Sequence, residues 1–282
     1  MGCNNEPGYR QRVMDAVTFL GLEPTEDPRH WRLPVTPGVC TGGNFLFGGA
    51  GLGAGIAVLE AAAGKPVVWA TAQYLSFARP PDVMDLEATL AVEGRHVTQA
   101  RVVGRVGDRE ILTVNGALGA RPDEPASGEW AIRPEVPGPD DCPPRMRWRG
   151  MGDGDDISSR LDVRLARGRT MDDMDGSPGD GRHALWARLP DLLEISPAAL
   201  GILGDYVPSG ISQALGLRAG GRSLDNTLRV ARLVPTEWVL LDVRIHAVAN
   251  GMGHGLVHQW AEDGTLLATA SQSAIVRRWR DA

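Results

Sequence analysis

Three polar side chains stand where their neighbours make them costly. Asp205 follows Ala198-Ala199-Leu200-Gly201-Ile202-Leu203-Gly204 and precedes Tyr206. A lone carboxylate in such an apolar helix is heavily penalised unless it finds partners. A partnered acid in a core is a candidate for proton transfer; the plainer reading is an acid that ends its helix at the hydrated C-terminus. Gln272 lies in the strand Leu266 to Val276, and alternation puts it on the face of Leu266, Ala268, Ala270 and Ala274. A buried amide must meet another polar group or a water, unless a bulge turns it outward. Ser223 and Asp225 share one face of the strand that opens Ser223-Leu224-Asp225, with Leu224, Leu228 and Val230 on the other. Side-chain chemistry does not choose between Asp205 and Asp225 as the working acid, and a Ser at a strand start is also an ordinary turn residue.

Other chemistries lack their patterns. Pro208-Ser209-Gly210 is not a Gly-x-Ser-x-Gly elbow. Gly49-Ala50-Gly51-Leu52-Gly53-Ala54, after a short strand at Asn44 to Phe47, approaches a dinucleotide fingerprint but has no acid near twenty residues on. His254 and His258 fall in a Gly-rich strand without a third ligand, so no metal or cofactor is expected. Formal net charge is -6 and no Lys/Arg-dense stretch with interleaved aromatics exists, which argues against a nucleic-acid partner. Three scattered cysteines, Cys3, Cys40 and Cys142, fit a reducing, cytoplasmic compartment better than a disulfide framework. The start Met-Gly-Cys-Asn-Asn-Glu carries no export or acylation pattern, and Asn44 to Ala63 is too rich in glycine for a membrane span.

The elements that must position these residues repeat. A helix expected from about Ala50 to Ala63, apolar until Glu60, is followed by strands near Val67–Phe77, Asp85–Glu93, His96–Val106 and Glu110–Gly119. Ser196-Pro197 opens a second helix through Asp205, which Pro208 closes. Strands follow at Ser223–Ala231, Trp238–Val248, Gly255–Ala261 and Leu266–Val276, the last pair turning at Asp263-Gly264. Between the two series, residues 121–180 are rich in Pro, Gly and Asp, with strands at Arg160–Leu165 and His183–Leu189. One helix and several antiparallel strands, twice, is an α+β class in which a sheet curls around each helix, the double-hotdog arrangement of two repeats in one chain. The expected boundaries are residues 1–130 for the first repeat, 131–155 for a linker and 156–282 for the second.

The run Ser223-Leu224-Asp225, Arg232, Pro235-Thr-Glu-Trp-Val-Leu-Leu-Asp, Gly255, Asp263-Gly264-Thr-Leu-Leu-Ala-Thr, Gln272 and Arg277 resembles the C-terminal signature of the acyl-CoA thioesterase II family of double-hotdog enzymes. Phe47-Gly48-Gly49 and Phe77-Ala-Arg-Pro-Pro are similar to its N-terminal signatures. The resemblance implies hydrolysis of acyl-CoA or a similar acyl thioester by a water held by Asp205, Ser223 and Gln272, with Asp205 rather than Asp225 as the base and no cofactor. Departures are Asn226 where the family has His, Ser273-Ala274 where it often has Glu-Gly, and a short interval from Asp205 to Ser223. Ala70 and Gly116 are read as the first-half counterparts of Ser223 and Gln272, leaving one site per chain. Arg229, Arg232, Arg277 and Arg278 are open candidates for the CoA phosphates. The alternative is a hotdog pair that binds an acyl group or acyl-CoA without turnover. Sheet edges left open by this fold imply a homo-oligomer.

Overall fold

A computed structural model describes residues 15–145, 155–190 and 194–279. Its helices are α1 (Ala16–Leu20), α2 (Gly48–Ala63), α3 (Pro197–Leu203) and α4 (Val207–Leu215). The first strands are β1 (Glu23–Pro24), β2 (His30–Pro34), β3 (Val67–Tyr74), β4 (Val83–Glu93), β5 (Val97–Val106) and β6 (Arg109–Gly119). The remainder are β7 (Asp162–Arg167), β8 (Arg182–Arg188), β9 (Ala219–Ser223), β10 (Asp225–Val230), β11 (Val239–Ala249), β12 (Met252–Ala261) and β13 (Leu266–Arg278).

Because α2 is apolar on every side, it must be enclosed, and every residue from Gly49 to Leu59 is buried. The helix stops at Gly64, whose positive φ of 61° lets its N–H return to the Glu60 carbonyl at 2.9 Å. Strands β3, β4, β5 and β6 pack on it. The second series differs from its sequence reading. Ser196 caps α3 as expected, accepting from Ala199 N at 3.2 Å, but Pro208 does not end the helical region: it sits in the first turn of α4, where its missing N–H costs nothing. Tyr206, at φ -121° and ψ 0°, breaks the helix in two. It is α4 that lies under β8, β9, β11, β12 and β13, whereas α3 packs on α2. Asn44 to Phe47 is no strand but a loop with a single bridge between Cys40 and Leu46.

All thirteen strands form one antiparallel sheet in the order β1-β2-β4-β5-β6-β3-β10-β13-β12-β11-β8-β7, with β9 beside β13. A large antiparallel sheet with few helices fits a hotdog fold. At its centre β3 pairs with β10 around Thr71 and Thr227, 156 residues apart, whose hydroxyls meet at 2.7 Å. That spacing recurs. Val67↔Leu118 and Thr71↔Asn115 in the first series match Ser223↔Ala274 and Thr227↔Ser271 in the second, each with one extra residue on the first-named side. Structurally, therefore, the counterpart of Ser223 is Val67, not Ala70, whereas Gly116 remains the counterpart of Gln272.

The outer face of the β8, β11 and β12 region is also apolar, and Trp186, Trp238, Leu240 and Trp260 are buried there beneath Ala131, Val136 and Cys142. Trp186 Nε1 donates to the Pro137 carbonyl at 2.8 Å, so the Pro-rich stretch lies across the sheet as a cover.

Candidate active site

Asp205 occupies the turn between α3 and α4, not the helix itself. Gly204 precedes it because a Cβ there would lie 2.9 Å from Gln259 Nε2 and 3.0 Å from Ala270 Cβ. Turned inward by that break, Asp205 is 8% exposed. Its Oδ2 accepts from Gly49 N, in the first turn of α2, at 2.7 Å, where the positive end of the helix favours a carboxylate. Its Oδ1 accepts from Gln272 Nε2.

Gln272, 2% exposed, faces inward as alternation along β13 requires. Its orientation is fixed by what surrounds it. Asp205 can only accept, so it takes the amide nitrogen; Val207 N can only donate, and does so to Oε1 at 3.1 Å. The same Nε2 donates to Ser223 Oγ at 3.1 Å. Ser223 reaches this point through the irregularity at Leu224. Between Ser223↔Ala274 and Thr227↔Ser271 the β9–β10 side carries one more residue than β13, and a bulge of this kind re-aims a side chain. Ser223 and Asp225 therefore do not share a face: Asp225 accepts from Ser273 N at 2.8 Å, holding the bulge.

The structure thus brings Asp205, Ser223 and Gln272 into one cluster and keeps Asp225 beside it. Burial pushes the Asp205 carboxyl above its usual 3.8, while hydrogen bonds from Gln272, Gly49 and Ser223 pull it back only in part. A carboxylate with a raised pKa is a better proton acceptor near neutral pH.

Sequence reasoning missed the neighbours. Tyr74 donates to the Gly48 carbonyl at 2.7 Å, and burial, then the Asp205 charge, hold its hydroxyl well above the ordinary value, so it stays protonated. Asn226 is fully buried, with its amide beside the Tyr74 hydroxyl. Arg222 lies over the Phe77 ring at 4.7 Å. None of these contacts has a local pattern, although an Asn on the inward face of a strand is a signal of the same kind as Gln272. Among the described residues no group of three or more His, Cys, Asp or Glu side chains could hold a metal ion, and no helix is long and apolar enough to cross a membrane.

Residues 139–276 match the acyl-CoA thioesterase C-terminal domain family. No curated protein sequence matches. The fold is similar to that of a candidate thioesterase from Novosphingobium aromaticivorans, at 33% identity and TM-score 0.80 over 90% of this chain and 97% of that one. It is also similar to a hot dog fold protein of unknown function from Alicyclobacillus acidocaldarius, at 20% identity and TM-score 0.78 over 95% and 98% of the two chains. An acyl-CoA thioesterase II from Mycobacterium marinum shares 19% identity and TM-score 0.73 over 94% and 98%. Fold and family together define a hotdog-fold thioester hydrolase. The chain belongs to the thioesterase family of its Novosphingobium relative, and residues 139–276 match an acyl-CoA thioesterase C-terminal domain.

Proposed function

We propose that this chain hydrolyses acyl-CoA thioesters to the free acid and CoA, with Asp205 as general base and Gln272 and Ser223 orienting the attacking water. The observation that carries the reading is a buried carboxylate with a raised pKa whose two oxygens are fixed by Gln272 Nε2 and Gly49 N. Asp205 takes a proton from the water as its oxygen bonds to the thioester carbonyl carbon. Collapse of the tetrahedral intermediate breaks the C–S bond, and the proton on Asp205 passes to the departing sulfur.

We further propose two hotdog repeats, residues 1–130 and 156–282, joined by a linker at 131–155. The 156-residue repeat of sheet register supports this division. At that spacing Asp205, Ser223 and Gln272 correspond to Gly49, Val67 and Gly116, which supports one site per chain. The sheet ends at β1 and β7 instead of closing on itself, which favours a homo-oligomer. Unpaired Cys40 and Cys142 favour a cytoplasmic location.

Single turnover in ¹⁸O-water tests the mechanism. Direct attack by water puts ¹⁸O into the acid in the first turnover and leaves Asp205 unlabelled. First-turnover acid free of ¹⁸O, with label appearing in Asp205, would instead mean a covalent anhydride on that residue.

A further inference from the structure

The Gly48 carbonyl and the Gly49 N–H belong to one peptide unit, which is planar and moves as a piece. Tyr74 donates to its oxygen at 2.7 Å, and its N–H donates to Asp205 Oδ2 at 2.7 Å. The bond from Tyr74 is not needed to satisfy that carbonyl, because a carbonyl in the first turn of a helix is served by the N–H four residues on. Gly48 is what lets both side chains close on the peptide: a Cβ there would lie 2.7 Å from Asp205 Oδ2 and 3.0 Å from the Tyr74 hydroxyl oxygen. Behind Tyr74 stands Asn226, fully buried, with its amide beside the hydroxyl. The hydroxyl hydrogen is committed to Gly48, so toward Asn226 the hydroxyl oxygen can only accept.

We propose that Tyr74 is a positioning residue for Asp205, acting through the Gly48–Gly49 peptide in a hydrogen-bonded chain that runs from the Asn226 amide through the Tyr74 hydroxyl and the peptide to the carboxylate. The proposal rests on the reading of Asp205 as the base. A donor on a carbonyl draws electron density from the amide nitrogen and makes its N–H a stronger donor, and bonds in such a chain strengthen one another by about 10–30% each. Tyr74 therefore fixes the direction of the Gly49 N–H and also strengthens its hold on the charged carboxylate. It does so with its proton in place, because burial, then the Asp205 charge, keep the phenol well above its ordinary value. The other titratable groups around Asp205 are its neighbour Tyr206, also pushed up by burial, and Asp225 at the start of β10, whose charge reaches Tyr74. Arg145 lies over the Tyr206 ring at 5.6 Å. Of these groups, Tyr74 is the one bonded to the peptide that holds the carboxylate.

The test compares Tyr74→Phe with a chain carrying 3-fluorotyrosine at position 74, which keeps ring and hydroxyl, so the answer does not depend on the Phe variant folding. Two readings are taken of each: the pH limb of kcat/KM for acyl-CoA hydrolysis, and the titration of the Asp205 carboxyl by ¹³C NMR, assigned by its loss in Asp205→Asn. Without the hydroxyl the charged carboxylate is held less firmly, so both readings should move up by roughly 0.1–0.7 of a pH unit, the share of a charge-assisted bond that such a chain supplies. The plateau kcat should fall roughly tenfold as the carboxylate shifts by a fraction of an ångström, with KM unchanged. The fluorinated phenol is more acidic and a stronger donor, and should move both readings down. Opposite shifts in the two chains uphold the relay. A carboxyl titration that stays put in the folded chains, or a rise in KM with the limb unmoved, as a tyrosine touching the substrate would give, overturns it and leaves the hydrolase reading standing. Opposite shifts in the carboxyl titration with no hydrolysis of any thioester do the reverse.

Discussion

Gly48→Ala is the smallest change that separates the catalytic account from mere packing. The added methyl would stand 2.7 Å from Asp205 Oδ2 and 3.0 Å from the Tyr74 ring and hydroxyl, well inside the ~3.5 Å of a comfortable contact. Two effects on stability oppose each other. Alanine is favoured over glycine in a helix by about 1 kcal/mol at most, whereas overpacking costs about 1–3 kcal/mol. The fold should lose no more than about 3 kcal/mol, read from urea unfolding. Activity should respond in the folded protein. Relief of the clash moves the carboxylate away from Gly49 N, and misplacement of a catalytic group by about 1 Å costs on the order of 10²-fold, or about 2.7 kcal/mol of barrier. The assay is release of free thiol from a saturating acyl-CoA. A folded Gly48→Ala protein whose kcat stays within about threefold of wild type, an effect under 1 kcal/mol, would refute the placement of Asp205 against the start of α2.

Other consequences follow from the same contacts. Because Asp205 is held above 3.8 mainly by burial, kcat/KM should rise with pH along a limb centred above that value; a limb at or below 3.8 would remove Asp205 as the base. Its stabilising contribution is fully present below 3.8 and is lost as pH rises through the folded value. Gln272→Leu leaves Val207 N and one Asp205 oxygen unpaired, so urea unfolding should show a loss of about 1–3 kcal/mol per group, with no loss if neither bond exists. His183 is buried and pushed down to about 3, and its Nδ1 lies 3.0 Å from the Arg167 carbonyl oxygen. The neutral ring therefore costs the fold about 1.4 kcal/mol per pH unit as pH falls from 6.5 towards 3. His183→Gln should be less acid-sensitive than wild type, and equal sensitivity would contradict this.

The strands and α2 were legible because their signals are local: alternation, an all-apolar run and a glycine stop. So was the inward face of Gln272, because nothing interrupts β13 around it. Ser223 was misplaced by alternation because its inward turn depends on one extra residue at Leu224, which only the pairing with β13 reveals. Its first-half counterpart was misread by three positions for the same reason. The helix break at Tyr206 was hidden by an apolar sequence that reads continuously through it, with Pro208 serving as a start where it looked like a stop. The bond from Gly49 N to Asp205 spans 156 residues, and no local pattern announces it; the glycines of α2 looked like packing alone, and Gly49 turned out also to hold the carboxylate.

Comparison of Asp205→Asn with wild type tests the central claim most directly, by following thiol release across acyl-CoAs of increasing length with near-ultraviolet circular dichroism to confirm the fold. Loss of a general base predicts a fall in kcat of roughly 10²- to 10⁴-fold in a protein that remains folded. Turnover by a folded Asp205→Asn protein at a rate near wild type would contradict it.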